Sequence, residues 1–179
     1  MKESSIDTSS EYAEAFEFPF PMETGAPDTH VIANGLHTFL IYLKRIENDE
    51  EFFKEEIKPI KLCSEGVPVI AEELYVLIEF KHCHVHRYGA PNEEVLIGHP
   101  HYRKGLKFYS AHVIQNSRWI EELKTISKVH PQYQEENWKK VKHYFFTFHD
   151  EIFECIADSF QVVLIDSLPN VIADAIRKL

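Results

Sequence analysis

Several features that are common in protein sequences are scarce in this chain of 179 residues, and each scarcity excludes a class of protein. Its three cysteines, Cys63, Cys83 and Cys155, are widely spaced and form no C-x-x-C pair, which argues against a disulfide-built scaffold and a cysteine-rich zinc module. No stretch approaches the roughly 18 apolar residues of a membrane span, and the N-terminus lacks the cationic start and apolar run of a signal peptide. We therefore expect a soluble cytoplasmic protein without a membrane partner.

Basic residues and glycines are scarce as well. The formal net charge is −10, and no dense Lys/Arg stripe interrupts it, so a phosphate backbone would meet net repulsion. With only six glycines, the chain has neither the glycine-rich loops that bind nucleotides nor the G-x-S-x-G motif of many serine hydrolases. We expect no nucleic-acid partner and no nucleotide chemistry.

Aromatic and aliphatic residues, in contrast, are sufficient for one packed core. Residues 1–14 are polar and acidic without a hydrophobic period, which predicts a disordered acidic tail, and residues 15–179 are predicted to form a single domain. The proline- and phenylalanine-rich segment Phe16–Met22 is expected to lie extended over that domain. The acidic run Arg45–Glu56 is typical of a solvated loop or short helix.

The hydrophobic patterns predict an α+β fold. They indicate a hairpin over His30–Leu43 with a type I′ turn at Asn34–Gly35, one long strand over Leu74–Arg87, and a meander of three strands between residues 142 and 165. Helices are expected after a cap at Asn116 or Ser117 and over the last twelve or so residues. Six or seven strands with hairpin-type links predict a mainly antiparallel sheet covered by two or three helices, with a curved sheet or partial barrel as the alternative.

Three histidines near the end of the long strand suggest a metal site. Strand side chains alternate, so His82, His84 and His86 would project to one side. Same-face neighbours lie about 6.6–7 Å apart, whereas two nitrogens on one zinc ion lie about 3–3.5 Å apart. Two of the three could therefore share a divalent transition metal, with His143, His149 or Glu94 completing the set. The alternative is a partly wetted sheet face on which the imidazoles pair with aromatic or acidic neighbours.

The motifs G-A-P-N-E-E, G-H-P, N-S-R-W, F-H-D and F-E-C resemble those of a family of bacterial proteins of unknown function, and the resemblance runs from Pro21 to Asp158. It implies no activity, and it gives no weight to His82 or His84. It shifts the expected site to a polar cluster in which the loop Asn92–His99 meets His86 and the hairpin His143–Glu154. The members of that cluster are His86, Asn92, Glu94, His99, His143, His149, Asp150 and Glu154.

Two kinds of function fit these patterns. The first is a non-catalytic domain that binds a small ligand or a protein, with a regulatory or immunity-like role. The alternative is a metal- or His/Asp-dependent enzyme with a pocket under the loop 88–106. Its acid/base or metal-binding groups would be His86, His99, His149 and Asp150, with Asn92 and Glu94 orienting the substrate. A concave pocket favours the enzyme, and a filled face with these side chains paired internally favours the binding domain.

Overall fold

The computed structural model describes residues 9–25, 27–44 and 74–179. In these ranges nine strands form two antiparallel sheets, and three α-helices accompany them. The predicted α+β class and the mainly antiparallel pairing are confirmed. The strand count is higher than the six or seven predicted, and neither sheet closes into a barrel. The acidic run Arg45–Glu56 lies outside the described residues.

Each sheet takes strands from distant parts of the chain. The strands are β1 (Tyr12–Ala15), β2 (His30–Ala33), β3 (Thr38–Leu43), β4 (Tyr75–Lys81), β5 (Val85–Gly89), β6 (Ala111–Gln115), β7 (Lys142–Thr147), β8 (Ile152–Ala157) and β9 (Ser159–Ile165). The helices are α1 (Glu93–Leu96), α2 (Arg118–Ser127) and α3 (Leu168–Lys178). The first sheet has the order β1-β6-β7-β8-β5 and the second β2-β3-β4-β9. Within the described ranges, no helix has the length and apolar character needed to cross a membrane.

One antiparallel ribbon belongs to both sheets. β4 pairs with β9 in the second sheet, and β5 pairs with β8 in the first. Between these pairings, residues 82–84 lie opposite residues 157–158, so one strand carries an extra residue, which defines a β-bulge. His82 adopts a positive φ of 50° there. The predictions of one continuous strand over Leu74–Arg87 and of a three-strand meander are therefore wrong, because the chain changes sheets at this bulge.

The main hydrophobic core fills the space between the two sheets. It combines Phe146 and Phe153 of the first sheet with Phe80 of the second. The rings of Phe16 and Phe18 make edge contacts with Phe146 at centroid distances of 6.4 and 5.6 Å. The prediction that this N-terminal segment lies over the body of the domain is thus confirmed.

The outer faces of both sheets are covered as well. Helix α3 packs Val171 and Ala175 on the second sheet. On the first sheet, Leu96 of α1 packs on Phe145, and Trp138 covers the neighbouring part together with the apolar side of α2. Consequently, a polar residue of the first sheet that lies beneath this layer, such as His143, is shielded from water.

Two local predictions are confirmed and one turn is corrected. β2 and β3 form the predicted hairpin, and Ser117 caps α2. The hairpin turn is not of type I′, because neither Asn34 nor Gly35 has a positive φ. Instead, the Asn34 side chain accepts hydrogen bonds from the N–H groups of Leu36 and His37 at 2.7 and 2.8 Å, which is typical of an Asx turn.

The predicted tail, residues 1–14, overlaps the first strand. β1 begins at Tyr12 and pairs with β6, and the Glu11 carboxylate accepts a hydrogen bond from the N–H of Arg118 at 2.9 Å. The structure does not describe residues 1–8. The described part of this segment is therefore attached to the edge of the first sheet.

We expect Phe146→Ala to lower the free energy of unfolding by about 3–5 kcal/mol, because the fully buried ring leaves a cavity between the sheets. Urea denaturation followed by circular dichroism measures the change. Leu36→Ala is the control, since Leu36 is 79% exposed and its truncation should change the free energy by no more than about 0.5 kcal/mol. Equal effects of the two substitutions would contradict this placement of the core.

Candidate functional site

The three histidines that suggested a metal site have separate surroundings. Each ring has a different neighbour: the Asp158 carboxylate for His82, the Trp138 ring for His84 and the Phe153 ring for His86. The bulge interrupts the alternation on which the metal hypothesis depended. In the described part of the chain, no group of three or more His, Cys, Asp or Glu side chains could hold a metal ion. The bound transition metal therefore stays a prediction, without a set of three ligands in the described residues.

A hydrogen-bonded network lies on the outer face of the first sheet. His143 Nε2 on β7 lies 3.0 Å from Glu154 Oε2 on β8, and His143 Nδ1 lies 2.9 Å from the hydroxyl oxygen of Ser117. Arg87 on β5 is the register partner of Glu154 and donates to its Oε1 at 3.2 Å. We call these four residues the outer-face network: Arg87, Ser117, His143 and Glu154.

The hydrogen positions in the outer-face network follow from its donors and acceptors. Because an ionised Glu154 only accepts, the nitrogen of His143 that faces it carries a hydrogen. The other nitrogen of a neutral imidazole then accepts the hydroxyl hydrogen of Ser117, whose oxygen accepts from the N–H of Ile120 at 3.3 Å. Each polar atom of the His143 and Glu154 side chains thus has a partner inside the protein.

Burial and charge act in opposite directions on Glu154. Its side chain is only 9% exposed, and burial by itself raises the pKa of a carboxyl group. The hydrogen bond from His143 and the charge of Arg87 outweigh this effect, so the pKa of Glu154 is lowered from its ordinary value. The Arg87 guanidinium also lies 4.0 Å from the centroid of the Trp119 ring, a cation–π contact that links β5 to α2. Glu154 therefore stays ionised at neutral pH.

Two further histidines lie beside the outer-face network, in the segment that covers the sheet. The His99 ring makes an edge contact with Phe145 at 5.2 Å, and its Nδ1 accepts a hydrogen bond from the N–H of His101 at 3.2 Å. Burial lowers the pKa of both imidazoles, and the Glu154 charge opposes this effect on His99. The predicted meeting of the loop with the late hairpin thus occurs through His99.

His149 and Asp150 form a separate cluster at the turn between β7 and β8. The two ring nitrogens of His149 lie 2.8 Å from Asp150 Oδ1 and 3.2 Å from Glu93 Oε1, and Glu93 also accepts a hydrogen bond from the Tyr109 hydroxyl. The hydrogen bond to Asp150, with Glu93 nearby, raises the pKa of His149. Because the N–H of Glu93 donates to the carbonyl of His149 at 2.8 Å, this cluster attaches α1 to the hairpin turn.

The remaining predicted residues lie apart from both groups. His86 pairs with Cys155 in the strand register and therefore faces the opposite side of the sheet from Arg87. The side chain of Asn92 makes no capping hydrogen bond to α1, and Glu94 is exposed. Of the predicted cluster, the structure brings together His99, His143 and Glu154 in one place and His149 and Asp150 in another. Ser117 was predicted only as a helix cap, and Arg87 was not predicted.

A groove opens beside the outer-face network where β6 and β7 separate. Their ladder ends at the pair Val113–Tyr144, although both strands continue. The groove has a volume of about 350 Å³. It is lined by residues 113–117, Ile120, Glu121, Lys124, Trp138, Val141 and Lys142. Ser117 belongs to both the groove and the network, so a molecule in this groove, which we call the α2 groove, would contact the network there.

Comparisons with known proteins do not assign this geometry to a family. The chain matches no family model, no curated protein and no solved structure. The resemblance to a bacterial family that the motifs suggest therefore stays a prediction.

We expect His143→Ala to lower the free energy of unfolding by about 3 kcal/mol, because it leaves the buried Glu154 carboxylate with one donor fewer. Urea denaturation measures the loss. The control is Glu136→Ala, whose ion pair with Lys139 is exposed and should contribute less than about 0.5 kcal/mol. If His143→Ala cost no more than the control, the outer-face network would not be a stabilising element.

A further buried imidazole holds the loop before β6. The His112 side chain is fully buried, and its Nε2 accepts a hydrogen bond from the N–H of Lys107 at 3.0 Å. A protonated imidazole carries a hydrogen on both nitrogens and cannot accept. Burial, with a contribution from the Lys107 charge, lowers the pKa of His112 to about 4.

We expect protonation of His112 by itself to lower the free energy of unfolding by up to about 3 kcal/mol as the pH falls from 6.5 to 4. The reason is that the pKa of His112 is about 4 in the folded protein and 6.5 in the unfolded chain. The unfolded chain binds the proton first, so this stabilisation is complete above pH 6.5 and is lost as the pH falls. Urea denaturation across this range measures the slope. His112→Gln should flatten the slope, whereas His130→Gln, at an exposed position, should preserve it. Identical slopes for wild type and His112→Gln would contradict the assignment.

Proposed function

We propose that the protein is a non-catalytic binding domain whose α2 groove takes a small ligand with an apolar body and a carboxylate or similar anionic group. One observation carries the proposal. The groove reaches the outer-face network at Ser117, while His143 and Glu154 behind it are buried and hydrogen-bonded at each polar atom. The groove therefore offers a shaped surface at which neither the His143 imidazole nor the Glu154 carboxylate has a free position for a substrate.

Acid–base catalysis requires a side chain that reaches the substrate directly or through one water. His143 is 3% exposed, and both of its nitrogens already have partners. The other imidazole–carboxylate pair, His149 with Asp150, lies at the far end of the β7–β8 hairpin and does not line the groove. These placements favour binding over proton transfer.

The dimensions and walls of the α2 groove suit a small molecule. Its volume of about 350 Å³ falls at the lower end of the range of about 300–1,000 Å³ that is usual for ligand sites. Ile120, Trp138 and Val141 give it apolar walls. Successive residues of a strand direct their N–H and C=O groups to the neighbouring strands on opposite sides. Where β6 and β7 separate, the backbone groups that would pair across the gap therefore face the groove.

The charges at the rim favour an anion. Lys124 is paired with Glu121 at 2.6 Å, so these two lining charges offset each other. Lys142 is exposed on the rim, and within the described ranges it takes part in no ion pair. An ammonium group beside an apolar wall matches a carboxylate attached to an apolar body.

A second candidate function is acyl transfer by Ser117. A chain of hydrogen bonds runs from the Ser117 hydroxyl through the His143 ring to the Glu154 carboxylate. This is the order of groups in a serine–histidine–acid relay. Against it, the Ser117 oxygen already accepts from the first turn of α2, and Arg87 offsets the Glu154 charge. A fluorophosphonate probe that labelled wild type but not Ser117→Ala would establish this alternative and overturn the non-catalytic proposal.

We expect indole-3-acetate or octanoate to bind in the α2 groove more tightly than the matched uncharged compounds, indole-3-acetamide and octanol. The chain has two tryptophans, of which Trp138 lines the groove and Trp119 does not. Titration followed by NMR should therefore move the indole N–H signal of Trp138 more than that of Trp119. Trp119→Phe assigns the two signals.

Lys142→Gln should weaken binding of the carboxylates about fivefold, equivalent to about 1 kcal/mol, without affecting the uncharged compounds. Lys139→Gln is the matched control, because it removes the same charge from a nearby exposed position outside the groove lining. Equal weakening by the two substitutions, or shifts that favour Trp119, would refute the proposed site.

A further inference from the structure

The bulge between β4 and β5 brings two cysteines together. In an uninterrupted strand, Cys83 would share a face with Val85 and Arg87, opposite to His86 and its register partner Cys155. The extra residue at 82–84 reverses this alternation. Cys83 instead packs against the core cluster between the sheets, of which Cys155 is a member.

The two thiol groups interact directly. A side-chain hydrogen bond joins Cys83 and Cys155, and the Cys83 thiol also lies 3.4 Å from the carbonyl oxygen of Val85. The backbone is fixed on both sides of the pair, because the N–H of His84 donates to the carbonyl of Ile156 at 2.8 Å. Both cysteines are free thiols in the structure.

The two thiols differ in access to solvent. Cys155 is 0% exposed, whereas Cys83 is half-buried at the corner of the fold. A reagent in solution therefore reaches Cys83 before Cys155. This is the arrangement of an attacking and a resolving cysteine.

We propose that Cys83 and Cys155 are a redox modification site that forms a reversible intramolecular disulfide on reaction with a low-molecular-weight disulfide such as oxidised glutathione. The site lies in the core between the sheets, and neither cysteine lines the α2 groove, so this proposal does not rest on the proposed ligand binding.

The reaction proceeds by two thiol–disulfide exchanges. The Cys83 thiolate attacks one sulfur of oxidised glutathione, the sulfur–sulfur bond breaks, and one glutathione leaves and takes up a proton. Cys155 then attacks Cys83 Sγ and breaks its bond to glutathione, and the proton released by the Cys155 thiol is taken up by the expelled glutathione thiolate. Two protein thiols are oxidised, and one glutathione disulfide is reduced to two glutathione molecules.

The acidities of the two thiols support this order. The hydrogen bond with Cys155 lowers the pKa of Cys83 to about 7, although burial opposes the effect. Burial raises the pKa of Cys155 well above its ordinary value. Cys83 is thus the group with appreciable thiolate at neutral pH, and the thiolate is the reacting form.

The folded protein is treated with oxidised glutathione, its remaining thiols are blocked with N-ethylmaleimide, and the products are mapped by mass spectrometry. We expect a Cys83–Cys155 link that dithiothreitol reverses. Cys155→Ala should stop at a stable glutathione adduct on Cys83, and Cys83→Ser should leave Cys155 unmodified. Cys63→Ser is the matched control and should leave the link unchanged.

Three results would overturn the proposal. The first is a stable glutathione adduct on Cys83 of the wild type, which would show that Cys155 does not resolve it. The second is a link that involves Cys63. The third is an unmodified pair under conditions in which the urea-unfolded chain reacts completely. Because the wild-type result alone decides, the conclusion holds even if a variant fails to fold.

Discussion

The main-chain hydrogen bonds that join β4–β5 to β8–β9 constrain the rest of the structure. One ribbon supplies strands to both sheets, and the bulge at residues 82–84 sets how the two halves are rotated against each other. Asp158 stabilises this corner, because its carboxylate lies 2.8 Å from the His82 ring and 2.6 Å from the Lys140 ammonium group. Strand alternation directs Glu154 to the outer face and the neighbouring Cys155 to the core. The bulge brings Cys83 to the core side and leaves Arg87 beside Glu154, so the network and the thiol pair both depend on it.

The sequence predicted the elements that local pattern determines. The hairpin of β2 and β3, the cap at Ser117 and the terminal helix α3 follow from periodicity and capping chemistry within about a dozen residues. The bulge could not be predicted in this way. His82 has a positive φ, yet histidine gives no turn signal of the kind that glycine or asparagine gives. Likewise, Asp158 alone separates β8 from β9, and a single residue does not mark a change of sheet.

The candidate site shows the same division between local and distant contacts. A hairpin turn centred on His149–Asp150 places residue 143 diagonally opposite residue 154, so the hairpin register is enough to predict the His143–Glu154 contact. Arg87 and Ser117 reach this pair only because β5 and the β6–α2 junction pack on it from distant parts of the sequence. The predicted cluster of histidines failed as a single site for the opposite reason. Residues close in sequence were separated by the bulge and by strand alternation.

The buried histidines of the first sheet are explained by the partners that they satisfy. His112 faces a backbone N–H and must stay neutral, whereas His143 faces a carboxylate and must carry a hydrogen toward it. In both cases the ring is the hydrogen-bond partner of a polar group on the covered sheet face. Without this partner, each such group would lower the free energy of unfolding by about 1–3 kcal/mol. Both nitrogens of His143 have partners, so this imidazole has no nitrogen left for a substrate. Selectivity for a ligand must therefore come from the walls of the α2 groove, where Trp138, Ile120 and Lys142 are exposed to it, and the histidines determine only how firmly those walls are held.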